Sequence, residues 1–173
     1  PDPESVLYRK ANGQEAKLCF GGHILMENRN GLCADFTIHD PLAEPEPVVA
    51  LQQVQAHQTL HAGVRVKTLG ADKGDHRKDL VAGCREENMA PHVACKDGVS
   101  VAGLDGRTTA RESYRIRQRI RQRVEEIFGW IKTVGGLRRS RYRGRERTQA
   151  WGYFVAGTYN VLRIARLELA AAG

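Results

Sequence analysis

The sequence of 173 residues lacks the features that mark membrane and secreted proteins. Its longest purely apolar runs span only four or five residues, whereas a membrane-spanning helix needs roughly 20. No charged segment followed by an apolar stretch opens the chain, so we expect no secretory signal. Because the chain begins at Pro1 and not at Met, we expect it to be a fragment.

Cysteine is scarce, and Cys19, Cys33, Cys84 and Cys95 include no C-x-x-C pair. Their spacing matches neither a dense disulfide framework nor a zinc finger. A metal cluster of Cys84, His92 and Cys95 is an alternative, but buried reduced thiols are the favoured interpretation. A reducing cytoplasm is therefore the expected location.

Acidic residues are scarce in one stretch of the chain. Between residues 107 and 147 there are 14 Lys and Arg but only 4 Asp and Glu, a net charge of +10, whereas the rest of the chain has a net charge of −3. Arginine accounts for 13 of those 14 cations, which favours recognition of phosphate groups. The stretch indicates a surface for nucleic acid or another polyanion; an Arg-rich helix that is merely solvated is the alternative.

The pattern of apolar residues predicts one α/β domain with a mixed sheet. Hydrophobic residues make up 41% of the chain, enough for one core. Two strand-like runs at 16–27 and 31–39 flank Asn30–Gly31, which predicts a hairpin. Residues 1–16 give no firm element. The further predicted elements are a helix at 48–60, a strand at 64–69, a helix at 78–88, a strand at 91–95 and helices at 112–133 and 146–169.

The last two predicted helices each have an apolar stripe. The stripe of the helix at 112–133 consists of Ile116, Ile120, Val124, Ile127, Phe128 and Ile131. The predicted apolar face of the final helix consists of Trp151, Phe154, Val155, Thr158 and Leu162. We expect the residues between the two helices, 137–144, to form an irregular basic connector.

Two acidic residues have positions that suit chemistry. Asp72 follows a predicted strand within a glycine-flanked turn, at the sheet edge where α/β proteins place their sites; a simple turn cap is the alternative. Glu125 is predicted at the edge of the buried helix face, with an ion pair to Arg121 as the alternative. Glu126 is predicted to pair with Arg123 in solvent. Two carboxylates beside a basic surface suit Mg²⁺-dependent phosphodiester chemistry, since carboxylate oxygens are hard ligands.

Several motifs resemble those of bacterial DDE-type transposases of the insertion-sequence-five family. Gly70–Ala71–Asp72–Lys73–Gly74 resembles the second-acid motif, and residues 119–132 resemble the third-acid helix. Residues 7–10, 22–29, 133–138 and 142–144 are also similar, so the resemblance covers nearly the whole chain and its motifs occur in the family's order.

This resemblance implies an RNase H-like mixed sheet that lacks its first strand. Residues 1–173 would be the C-terminal part of the catalytic domain, ending in a basic helical segment at 107–173. The implied function is cleavage and strand transfer of transposon-end and target DNA by an Asp–Asp–Glu triad with Mg²⁺ or Mn²⁺. Asp72 corresponds to the second acid and Glu125 to the third. The full-length protein is expected to be a homodimer associated with the bacterial nucleoid.

The chain departs from the family's pattern in three places. Arg121 and Lys132 match the Tyr–Arg–Glu–Lys signature, but Gln118 stands at the Tyr position. Asp75 and His76 replace the family's Tyr and Asp. The first acid has no convincing counterpart, so we expect negligible DNA cleavage by this chain alone. A truncated or decayed remnant that binds DNA without catalysis is the alternative, and a resolvase or repair nuclease of the same fold is a weaker one.

The resemblance and the charge pattern together predict a set of DNA-binding residues. Arg121 and Lys132 would bind phosphates of the terminal strand, and Trp130 would stack on a flipped base. For Trp130, as for Trp151, burial in the core is the alternative. The residues expected to follow the duplex backbone are Arg138, Arg139, Arg141 and Arg143.

Overall fold

The computed structural model describes residues 2–10, 12–71, 78–93, 112, 116, 120 and 123–173, and it confirms an α/β architecture. Its strands are β1 (Val6–Tyr8), β2 (Lys17–Cys19), β3 (Gly21–Glu27), β4 (Leu32–His39), β5 (Thr68–Ala71) and β6 (Ala90–Val93). Its helices are α1 (Glu46–Leu60), α2 (Lys78–Glu86), α3 (Arg123–Thr133) and α4 (Arg145–Ala172). Residues 112, 116 and 120 are also helical.

The predicted hairpin is confirmed as the antiparallel pair β3–β4. Gly31 in the turn has φ +72°, a left-handed conformation that glycine adopts without steric cost. The register shifts at one point, because Leu25 pairs with Asp35 whereas Met26 pairs with Cys33. Ala34 is therefore the extra residue of a β-bulge. The bulge shifts by one residue the alternation of N–H and C=O groups that face β3 and those that face the other edge of β4.

The alternation of strand, helix and strand predicted after α1 is also confirmed. β5 and β6 pair in parallel, with α2 as the crossover between them. The strand predicted at 64–69 begins later, at Thr68. The backbone N–H of Val66 donates to Gln58 Oε1 at 3.0 Å, so a side chain of α1 holds this stretch until the Lys67 carbonyl accepts from Ala90 N–H of β6 at 2.9 Å.

The described strands form three separate two-stranded sheets, β1–β2, β3–β4 and β5–β6, instead of the single mixed sheet predicted. The pair β1–β2 lies in and beside the region that gave no firm element. Its central residues Leu7 and Leu18 are exposed, so the usual alternation of buried and exposed residues is absent and gave no signal.

Two apolar clusters form the core of the described residues. The first cluster joins β3, α1, β5 and α2 through Leu25, Val54, Leu69, Leu80, Val81, Cys84 and Met89. The second cluster joins β4, α3 and α4 through Cys33, Phe36, Ile127, Ile131, Val155 and Ala156. The thiols of Cys19, Cys33 and Cys84 are free, as expected.

The final helix is present as predicted, but most of its predicted apolar face is wrong. Phe154, Thr158 and Leu162 are exposed, and the buried residues of α4 are Thr148, Gly152, Val155 and Ala156. The cause is a close approach to β4, since a Cβ on Gly152 would overlap the ring of Phe36. The helix therefore packs through small residues, which an apolar pattern does not reveal.

Among the helices in the described ranges, none combines the length and apolar character needed to cross a membrane.

Candidate nucleic-acid and catalytic site

Helix α3 carries the acid that resembles the third member of the triad. Its stripe residues Ile127 and Ile131 are buried in the second cluster. Glu125 is exposed, so its predicted place at the edge of the buried face is not observed. At 100° per residue it points away from Ile127, which leaves the carboxylate in solvent.

Neither of the α3 acids forms an ion pair within the described residues. The predicted pair of Glu126 with Arg123 is therefore not observed, and Glu126 instead faces α4. Asp72 and Arg121 lie outside the described residues, although β5 ends at Ala71, directly before Asp72 in the sequence. Within the described ranges no group of three or more His, Cys, Asp or Glu side chains is placed to hold a metal ion.

The alternative metal cluster around Cys84 lacks support from the described residues. The Cys84 thiol is free and fully buried in the first cluster, and burial raises its pKa to about 11. Cys95 lies outside the described residues. The buried reduced thiol is thus the interpretation that the structure favours for Cys84.

Lys132 lies in an environment of like charge. Burial lowers the pKa of its ammonium group, and the positive charges of Lys10 and Arg138 lower this pKa further. Its Nζ lies 5.2 Å from the ring centroid of Phe128, close enough for a cation–π contact. An anion bound beside these three cations would relieve their repulsion, which makes the position suitable for a phosphate group.

The four arginines predicted to follow DNA are all exposed on residues 137–144, here called the arginine loop. The loop is irregular, as predicted. Before it, Gly136 has φ +71° in the turn that follows α3, and Leu137 N–H donates to the Ile131 carbonyl at 3.0 Å. After it, Gly144 N–H donates to Asp2 Oδ2 at 2.8 Å. The loop is therefore held at both ends while its cationic side chains face solvent.

Both tryptophans are half-buried and pack against the second cluster. Trp130 contacts Tyr159 edge-on, with ring centroids 5.6 Å apart. Trp151 stacks on Phe154 at 5.6 Å, and the guanidinium group of Arg141 lies 5.6 Å from its ring. Trp151 is thus a packing residue that also supports one arginine of the loop.

Two amide side chains that position α4 were missed by the sequence analysis. Gln149 accepts a hydrogen bond from Ile38 N–H at 2.6 Å and donates to the Phe36 carbonyl at 2.7 Å. Asn160 makes the same kind of pair with Cys33 N–H and carbonyl, both at 2.8 Å. These amides satisfy the free edge of β4, which would otherwise be open to another strand. Gln149 and Asn160 lie on one face of α4 because their separation corresponds to about three helical turns.

Comparison with known protein families identifies the class to which this fold and surface belong. The family described as the transposase DDE domain matches residues 3–161. The chain therefore belongs to the transposase DDE domain family, whose general function is DNA transposition with the help of divalent metal ions. No curated protein and no solved structure matches the chain.

Proposed function

We propose that this chain is the C-terminal part of an insertion-sequence transposase catalytic domain, of the insertion-sequence-five type, that cuts and joins DNA at transposon ends. Glu125 is the third acid of its Asp–Asp–Glu triad and Asp72 the second. The strongest support is the environment of Glu125, an exposed carboxylate without an ion pair among the described residues. It shares α3 with Lys132, so a metal ligand and a phosphate-binding cation project from one helix.

The donor set suits the metal that the family implies. Carboxylate oxygens from Asp72 and Glu125 would hold Mg²⁺ or Mn²⁺, which prefer hard oxygen ligands. A bound ion would supply activation of the attacking oxygen and stabilisation of the leaving oxygen. Lys132, with Lys10 and Arg138 nearby, would hold the phosphate of the terminal strand so that the scissile bond lies beside the acids.

The arrangement of the strands supports an RNase H-like sheet. Leu25 of β3 and Leu69 of β5 belong to the same apolar cluster, yet no strand pairing joins β3 to β5 among the described residues. A further strand between these two edges would complete one mixed sheet, and in this proposal it carries the first acid. The full-length protein would act as a homodimer in the cytoplasm, at the nucleoid.

The DNA-binding part of the proposal is tested by the salt dependence of binding to duplex DNA. Each phosphate contact that is lost should reduce the slope of log Kobs against log salt by about 0.9. Replacing all four arginines of the loop by Gln should therefore reduce the slope by about 3 to 4. Arg65→Gln is the control, because Arg65 is also exposed but lies outside the loop. An unchanged slope in the fourfold variant would contradict the assignment.

The catalytic part is tested with Mn²⁺ binding and with DNA cleavage. Electron paramagnetic resonance should show weaker Mn²⁺ binding in Glu125→Gln, whereas Glu126→Gln, one position along the helix, should bind Mn²⁺ as the wild type does. Cleavage of end-labelled duplex by this chain alone should be negligible, because it has no counterpart of the first acid. Mg²⁺-dependent cleavage that disappears in Glu125→Gln would show instead that the chain holds a complete site.

A further inference from the structure

A small cleft of about 130 Å³ lies between α3 and α4. It is lined by Glu126, Trp130, Tyr159, Leu162, Arg163 and Arg166. Glu126 and Trp130 are one turn apart on α3, and Arg163 and Arg166 are nearly one turn apart on α4. The cleft therefore combines aromatic side chains, two cations and one carboxylate. Trp130 is the residue predicted from the sequence to stack on a base, and the proposed function assigns no role to the others.

The aromatic wall is fixed in place before any ligand binds. Trp130 is half-buried, and it packs both on the second cluster and on the edge of Tyr159. The Tyr159 hydroxyl donates to the Gly31 carbonyl at 3.3 Å. Because neither ring has to be ordered on binding, a flat ligand that stacks here loses little affinity to conformational entropy.

The two arginines suit a phosphate group at the rim. Arg163 Nε donates to the Asn30 carbonyl at 2.8 Å, which orients its guanidinium group and leaves its other N–H donors for a ligand. Arg166 is exposed. Guanidinium groups bind phosphate oxygens through paired hydrogen bonds, so these arginines point to a nucleotide more than to a free base.

The cleft also contains one carboxylate, that of Glu126. It forms no ion pair with Arg163 or Arg166 in the part of the chain that the structure describes. A carboxylate repels phosphate, so it has to meet a part of the ligand that donates hydrogen bonds. Its two oxygens match two adjacent N–H donors. Guanine presents such a pair, N1–H and the 2-amino group, whereas adenine, cytosine and thymine each present one donor group beside acceptors.

We propose that this cleft binds a single unpaired guanine nucleotide of the DNA substrate. Trp130 provides the stacking surface and Tyr159 supports it edge-on, Glu126 accepts hydrogen bonds from the guanine edge, and the two arginines bind the phosphate. A base in a duplex cannot enter so small a cleft, so the guanine is extrahelical or in a single strand. The inference rests on the proposed function for the nature of the ligand, and it adds a base-specific contact to a surface that otherwise binds the backbone.

The test compares fluorescence anisotropy of labelled oligothymidylates that differ only in one central base. The wild-type chain should bind the oligonucleotide with a central guanine about tenfold more tightly than the all-thymine one, as expected for a bidentate base contact. A central inosine, which lacks the 2-amino group, should bind with intermediate affinity. Glu126→Gln should remove the preference. Glu168→Gln, which makes the same charge change at an exposed position of α4 outside the cleft, should retain it.

Two further variants separate the roles of the wall and the rim. Arg166→Gln should weaken binding of all the oligonucleotides by a similar factor and leave the guanine preference unchanged. Trp130→Leu should weaken binding of the guanine oligonucleotide about tenfold or more, the effect of losing one stacked base. Because Trp130 is half-buried, circular dichroism must show that this variant is folded; the exposed Glu126 and Arg166 variants test the inference independently of it.

The possible outcomes distinguish this inference from the proposed function. Equal affinity for guanine, inosine and thymine oligonucleotides, with duplex binding intact, would overturn the guanine site alone. A preference that persists in Glu126→Gln would also overturn it. Absence of binding to every oligonucleotide and to duplex DNA would overturn the proposed function as well.

Discussion

The two apolar clusters are built in different ways, and only one of them carries the surface proposed to bind DNA. The first cluster holds β5, α2 and α1 together mainly by packing of large aliphatic side chains. The second cluster joins β4 to α3 and α4 through residues that include Ala156, with Gly152 against Phe36. Amide side chains of α4 add hydrogen bonds to the edge of β4. The position of the arginine loop therefore depends on a close approach of backbones.

The same contrast appears at the end of α3, where the arginine loop begins. A Cβ on Gly135 would lie 2.7 Å from the Ile131 carbonyl oxygen and would overlap Val155. No side chain fits there without a shift of α3 or α4. The basic surface is thus attached to the core beside a backbone contact that leaves room only for glycine, whereas the close glycine of the first region, Gly83, meets only the side chain of Leu51.

The largest expected effects come from cavities in the two clusters. Leu80→Ala and Ile127→Ala each remove a fully buried side chain and should lower the free energy of unfolding by about 2–5 kcal/mol, measured by urea denaturation. Only Ile127→Ala should also weaken duplex binding by the folded protein, because Ile127 is on the helix that carries Lys132. Equal loss of DNA affinity in both variants would show that the two regions are not separable.

The close approach of α4 to β4 is tested by a matched pair of glycine substitutions. Gly152→Ala should lower the free energy of unfolding by about 1–3 kcal/mol, because the added methyl group overlaps Phe36. Gly157→Ala, on the same helix, should raise it by up to about 1 kcal/mol, the difference in helix propensity. A Cβ at Gly157 has no heavy atom within 4 Å. Similar values for the two variants would rule out tight packing at Gly152.

The amide contacts of α4 should give an effect of similar or smaller size. Asn160→Ala leaves both backbone groups of Cys33 without their side-chain partner and should cost about 1–3 kcal/mol. Asn160→Asp keeps the acceptor for Cys33 N–H but sets a carboxylate oxygen against the Cys33 carbonyl, so it should cost at least as much. In the first region, Gln58→Ala removes only the bond to Val66 N–H and provides the comparison. Chemical denaturation curves of the three variants would refute this ranking if Gln58→Ala proved the most destabilising.

The effects that appear only at alkaline pH, and are absent near neutrality, concern the thiols, one in each cluster. Burial, followed by the Asp35 carboxylate, raises the pKa of Cys33 to about 12, and burial raises that of Cys84 to about 11. In the unfolded chain both thiols ionise near their ordinary value of 9.0. Stability should therefore be complete below that pH and should decrease as the pH rises towards 11 and 12.

Alkylation with iodoacetamide, followed by mass spectrometry of the peptides, measures the thiols individually. Native Cys19, which is only half-buried, should react first as the pH is raised, then Cys84 and last Cys33. Unfolding in urea should abolish the difference. If native Cys33 reacted as fast as Cys19, the packing of β4 against α4 would have to be looser than the structure indicates.

Several elements could be predicted from the sequence because their signals are local. Asn30–Gly31 predicts the turn between β3 and β4, and the prolines before residue 48 together with the following apolar residues predict α1. The strand and helix order predicts the parallel pair β5–β6. The arginine loop could also be predicted, because Gly135–Gly136 indicates the end of the helix and the charges of the following arginines indicate that they are exposed. The motif around Asp72 is likewise a local sequence signal, and residue 72 itself lies outside the described residues.

The sequence by itself determined the α/β order, the basic surface and, through ordered motifs, the transposase family. Only the tertiary structure decided which face of α4 is buried, how β4 is capped and which acid of α3 faces α4. The reason is that these features depend on partners distant in the sequence. The Phe36 ring leaves room only for glycine at position 152, and Asn160 accepts a hydrogen bond from the Cys33 backbone N–H. Periodicity records the polarity of residues along one helix, but it does not record the shape of the surface against which that helix packs.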